Sequence, residues 1–198
     1  MEILDILSNE SWMYDYDFYK DFKKSKYFDC LIDTYHNLNT KILYQSKIHG
    51  QAHIERVIFF CLVLSYKYQL SKKDTDILRY AASLHDTQRV DDSYDTEHGY
   101  RASIKSINYA PIAKDEKEIL KAVLASHSRP DKLMDSTINE FDVDNFQRAK
   151  KLARFFKDAD GLDRVRIGDL KSEFLRNSFS KDLISFAKRL FDSYKKNQ

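Results

Sequence analysis

Histidine is scarce in this chain of 198 residues, which holds only six. Two of them, His85 and His98, stand in one polar stretch, "HDTQRVDDSYDTEH", beside Asp86, Asp91, Asp92, Asp95 and Glu97. His53, His127 and Asp160 extend the set along the sequence, each near an expected helix end. Converging imidazoles and carboxylates are how a protein holds a divalent cation, and a mixed nitrogen and oxygen set suits Mn, Fe, Co, Ni, Zn or, with fewer nitrogens, Mg. Water on such an ion ionises near neutral pH, and the same ion draws charge from a phosphoryl oxygen.

Helices must do the positioning. Four glycines and two prolines are too few for the many turns of an all-β protein, so an all-α, compact helical bundle is expected. Residues 53–70, "HIERVIFFCLVLSYKYQL", are apolar on more than one face and read as a central buried helix. A second helix covers 71–86, with Ser71 or Asp74 as its cap, and a third opens at 96–107. Residues 114–128 form a fourth with an acidic first turn that suits the helix dipole, stopped at Pro130. After a polar link, 144–167 and an amphipathic 180–198 complete the set. The aromatic stretch "YDYDFYKDFKKSKYFD" in the first 48 residues is expected to pack on the main body as one or two helices, with a docking surface for a partner as the alternative.

Hydrophobic residues at 42% and charged residues at 32% describe an ordinary globular chain of one domain. Lys and Arg number 33 against 31 Asp and Glu, and a net charge of +2 argues against a nucleic-acid partner. Cys30 and Cys61 are far apart, and Cys61 lies in an apolar run, so both are read as reduced thiols in cytoplasm. That run is too short to span a membrane, and the acidic, aromatic N-terminus is unlike an export signal. Oligomeric state is left open between a monomer and a homo-oligomer.

The segments "HGQAHIERV", "AASLHDTQRV", "EHGYRAS", "LASHS" and "FKDADGLDRVRI" resemble, in that order, those of the HD-domain phosphohydrolases, named for the adjacent His-Asp pair. "EFLRNSFSKDLISFAKRLF" is similar to the end of small bacterial members. The resemblance covers residues 49–198, the expected HD domain, and leaves 1–48 as an N-terminal helical extension packed on it. It implies His53, His85, Asp86 and Asp160 as ligands of one divalent metal ion, with Asp86 placed to bridge two. His98 and His127 occupy the places where two-metal members add histidines. A second ion or phosphate contacts are one reading of them; a helix-start role for His98 and a backbone-bonded core role for His127 are the other.

The resemblance also implies a substrate class: a small phosphomonoester or phosphodiester, most plausibly a nucleotide, cleaved by a metal-activated water. Hydrolases of guanosine tetraphosphate carry an acidic pair three and four residues after the Asp of the His-Asp pair, where this chain has Arg89 and Val90, so it departs from that subgroup. One of Asp91, Asp92 and Asp95, with Asp92 the candidate named, is expected as general acid or base, and a solvated loop is the competing reading. Arg89 is expected either to grip a substrate phosphate or to pair with Asp86. Lys157 and Arg129 are the expected phosphate contacts, with Arg164 a further one, and Asp158 and Asp163 are candidates to orient a ligand. His36 lies outside the pattern, and His49 precedes Gly50, ahead of the expected helix. The alternative function is a catalytically silent HD-fold module that binds a nucleotide for regulation.

Overall fold

The computed structural model describes residues 2–196. Among them the fold is entirely helical, without a strand. Its axis is α4 (Gln51–Lys67), in which thirteen consecutive residues from His53 to Ser65 are buried. A helix apolar on all sides finds stability only when surrounded. Here the surround consists of α3 (Lys26–His36), α5 (Lys72–Leu84) and α9 (Phe146–Leu162), while α6 (His98–Lys105) pairs with α7 (Lys114–Ser128), which also meets α5 and α9.

Local chemistry sets several boundaries. The Ser71 hydroxyl accepts from the Asp74 N–H at 3.1 Å and starts α5, which decides between the two expected caps. Asn145 does the same for α9 through the Arg148 N–H. Other boundaries differ from expectation. The helix expected to run to 167 relaxes at Asp163 into a 3₁₀ turn, Asp163–Ile167. The stretch read as a polar link contains a short helix, α8 (Met134–Ile138), that buries Met134 and Ile138. The last expected helix is broken at Leu183 into α10 (Ser178–Asp182) and α11 (Ile184–Lys196), and its final two residues lie outside those described.

The first 48 residues carry three α-helices, α1 (Glu2–Asn9), α2 (Asp17–Phe22) and α3, and the aromatic stretch falls on the last two, as expected. Ile3, Ile6, Met13, Tyr19, Phe22 and Leu31 join the same apolar core as α4 and α11. Phe59 of α4 and Phe186 of α11 stack at 5.3 Å, and Trp12, Tyr16 and Phe18 close around Phe186. The aromatic residues of the N-terminal stretch thus pack largely inward. Cys30 and Cys61 are free thiols, and burial raises both above the ordinary thiol range. No helix among the described residues is long and apolar enough to cross a membrane.

Phe22 is fully buried between Phe28, Phe59 and Tyr66. Phe22→Ala should therefore cost roughly 3–5 kcal/mol in urea unfolding, as deletion of a core ring does. A loss under about 1 kcal/mol would mean that α2 is not held to the core.

Candidate metal centre

The fold brings five helix ends to one place. His53 lies in the first turn of α4, His85 caps the end of α5, His98 opens α6, His127 is next to last in α7, and Asp160 is two residues from the end of α9. Start, end, start, end is the order in which successive antiparallel helices return to one rim of a bundle. At α6 and α7 the approach depends on glycine. A Cβ at Gly99 would stand 2.3 Å from the Leu124 carbonyl oxygen and 2.6 Å from the His127 ring.

The hydrogen bonds fix which ring nitrogens face inward. The Nδ1 of His85, His98 and His127 lie 2.9, 2.6 and 2.6 Å from the carbonyl oxygens of Ala82, Asp95 and Leu124. His53 Nδ1 lies 2.7 Å from Asp163 Oδ2. Each of these partners only accepts, so each Nδ1 carries the hydrogen, and in a neutral imidazole Nε2 is left with a lone pair. The four Nε2 atoms meet in two pairs, His53 with His85 at 3.0 Å and His98 with His127 at 2.9 Å. Asp86 stands between the pairs. Its Oδ1 is 3.1 Å from His98 Nε2, and its Oδ2 is 3.5 Å from the Nε2 of both His53 and His85. Asp160 adds Oδ1 at 3.4 Å from His53 Nε2 and remains about a quarter exposed, on the side open to solvent.

Acceptors therefore face acceptors. Asp86 Oδ2 is buried with no donor among the described residues, a costly state for a carboxylate oxygen. A cation resolves it. Donors about 2.0–2.1 Å from a metal stand about 2.9–3.4 Å from one another in tetrahedral or octahedral shells, close to the separations found here. His53, His85 and Asp86 form one group that could hold a metal ion, and Asp86, His98 and His127 form a second. The groups are unequal, because Arg89 donates from Nε to Asp86 Oδ1 at 2.9 Å and occupies the oxygen that serves the second. Of the two expectations for Arg89, the structure realises the pairing with Asp86.

Burial disfavours the protonated form of His53 and His127. It pushes His53 down to about 4, aided by the Arg166 charge, and pushes His127 well below the ordinary histidine value with help from His98 and His85. Burial opposes ionisation of Asp86 and Asp160. Positive charge nearby, from Arg89 at the first and Arg166 at the second, nevertheless helps hold both below the usual carboxylate range.

A rim surrounds this centre. Asp92 accepts from Ser46 Oγ at 2.7 Å and lies 2.9 Å from His49 Nδ1, whose ring is 6.0 Å from that of His53. Of the three loop acids, Asp92 is the one whose carboxylate meets a histidine; the carboxylate of Asp91 receives Ser93, and that of Asp95 receives Arg101 and the Glu97 N–H. Several expected contributors lie elsewhere. Lys157 spends its ammonium on the carbonyls of Ser126, His127 and Arg129 and on Asp131, closing the end of α7. Arg129 is forked onto Glu97, reaches Glu140 and covers the Tyr100 ring. Asp158 takes the Arg176 and Asn177 N–H groups, and Arg164 pairs with Asp169. His36 is exposed.

Sequence reasoning passed over Arg56, which bonds to Asp163. The available signal was a charged residue within an apolar helix, one turn from His53. It set His49 aside in favour of His53, four residues on, because His49 precedes Gly50, ahead of the expected helix start.

Two outcomes follow from this geometry. Gly99→Ala should force α6 and α7 apart and weaken metal binding at His98 and His127 at least ten-fold in calorimetric titration, with a smaller change at His53 and His85. In metal-free protein, an unfolded histidine titrates near 6.5 but folded His53 near 4, so the unfolded state binds more protons between these values. The contribution of His53 to stability is complete above about pH 6.5 and declines as pH falls toward about 4, by on the order of 3 kcal/mol. Urea unfolding of chelator-treated protein across that range measures it; a flat profile would contradict the burial of a neutral His53.

The chain matches no family model, no curated protein and no solved structure, so the donor set itself is what bears on its chemistry.

Proposed function

We propose that this protein is a metal-dependent phosphohydrolase of the HD-domain type. It would act on a small phosphomonoester or phosphodiester, with a nucleotide as the substrate class. The observation that carries this reading is the meeting of four Nε2 atoms, each on a ring whose Nδ1 faces an acceptor, around the Asp86 carboxylate, one of whose oxygens is buried without a donor. His53, His85, Asp86 and Asp160 would hold one divalent ion; His98 and His127, with the other oxygen of Asp86, offer a place for a second. Such an ion supplies Lewis acidity toward a phosphoryl oxygen and an acidified water.

The protein's own groups have distinct tasks in this reading. Four fixed Nδ1 hydrogen bonds hold the rings so that no reorganisation is needed when the donors are used. Arg89, seated on Asp86, keeps positive charge beside the carboxylate and leaves less of it for the second group. Asp92 holds the Nδ1 hydrogen of His49, which leaves His49 Nε2 as the atom that exchanges a proton at the rim. Lys157 and Arg129 have no role in phosphate binding here, since their donors already serve the end of α7, Glu97 and Glu140.

Metal analysis of the purified protein should find at least one equivalent of divalent metal per chain. A screen of nucleotides and cyclic nucleotides with Mn, Mg, Ni, Co, Fe and Zn should find turnover. His85→Ala and Asp86→Ala should reduce it to background and remove most bound metal, while far-UV circular dichroism stays nearly unchanged. Activity persisting in both variants would reject the proposal. Bound metal with no turnover on any phosphate ester would favour the silent, nucleotide-binding module instead.

A further inference from the structure

Two charged residues, Glu55 and Arg56, are buried in the apolar helix α4, at 1% and 3% exposure. Ions in such a place need partners; Glu55 has Gln51 of its own helix at 2.8 Å, Arg56 has Asp163, and both are also met by the two ends of the chain. Glu55 Oε2 accepts from the Ile3 N–H of α1 at 3.1 Å and from the Tyr194 hydroxyl of α11 at 2.9 Å. The Arg56 guanidinium lies 4.6 Å over the Tyr194 ring and 5.2 Å from that of Phe191, both on α11. Its fork closes on Asp163, with Nε 2.5 Å from Oδ1 and one terminal nitrogen 3.0 Å from Oδ2. Asp163 Oδ2 is also the acceptor of the His53 Nδ1 hydrogen.

His53 is thus held differently from the other three histidines. Their Nδ1 acceptors are carbonyls three residues earlier in the chain, supplied by local backbone. The acceptor for His53 is a carboxylate 110 positions away, itself oriented by Arg56. A carboxylate behind an imidazole fixes its tautomer and makes the outer nitrogen a stronger donor.

We propose that Arg56, clamped by α11, is a positioning residue that acts through Asp163 to present His53 Nε2 as a lone pair, and that it does so for the His53 and His85 group alone. The inference rests on the metal-binding reading above. The Asp163→Asn variant tests it sharply. Arg56 still demands an acceptor, so the amide oxygen turns to Arg56 and the NH₂ faces His53 Nδ1. The imidazole must then move its hydrogen to Nε2, as happens when the carboxylate of a Ser-His-Asp triad becomes an amide.

Long-range ¹H–¹⁵N spectra of the metal-free full-length chain read the tautomer directly. Wild type should show Nδ1–H at His53, and Asp163→Asn should show Nε2–H. Calorimetric titration with Mn²⁺ should show affinity at the His53 and His85 group reduced about 10–100-fold, with any binding at His98 and His127 changed less than about two-fold. Arg56→Lys, which keeps the charge but loses the fork, should give an intermediate loss, and it also serves as the deciding variant if Asp163→Asn does not fold. A folded variant with wild-type tautomer and affinity, or equal weakening of both groups, would overturn the proposal. If wild type binds no divalent metal, the phosphohydrolase reading fails, while the tautomer spectra still decide the positioning role.

Discussion

The buried meeting of four imidazole nitrogens around one carboxylate, each ring with its other nitrogen turned to an acceptor, is the constraint to which the rest of the structure answers. In a hydrophobic interior such a set is repulsive by itself. It persists because each ring is pinned from behind, and because the helices that carry the rings are held together by a core whose stability does not depend on them. The aromatic cluster around Phe186 and the packing along α4 supply that core. The polar centre is a cost that the apolar body carries.

The arrangement of helices explains how so few residues suffice. Each donor sits at a helix terminus, where a side chain can reach past the end of its own helix without crossing packed neighbours. Backbone carbonyls at the same termini accept the Nδ1 hydrogens of His85, His98 and His127. Lys157 completes the pattern at α7. The last carbonyls of that helix would carry partial negative charge close to His127, and the ammonium meets the carbonyls of Ser126, His127 and Arg129.

Much of this was legible in the sequence, for physical reasons. Scarcity of glycine and proline and the long apolar run of α4 announced helices. His85, Asp86 and His98 were conspicuous because they stand in a polar break, where a core role is unavailable. Contacts that span the fold were not legible. Nothing in the sequence tells that Asp163 meets Arg56, 107 positions away, or that Asp158 serves the backbone at Arg176 and Asn177. The partners of Lys157 and Arg129 were likewise hidden, because positive charge near a site in sequence says nothing of which acceptor claims it. The five-residue helix α8 escaped because so short a segment holds barely more than one period.

The segment between α5 and α6 has its two ends fixed by the centre itself, at His85 and Asp86 on one side and His98 on the other. Its middle carries Val90 and Tyr94, 77% and 88% exposed, apolar side chains that the core does not use. Anchorage and display are therefore separated within a dozen residues. Substitutions confined to this span would change what the surface displays while the donor set at its two ends stays in place.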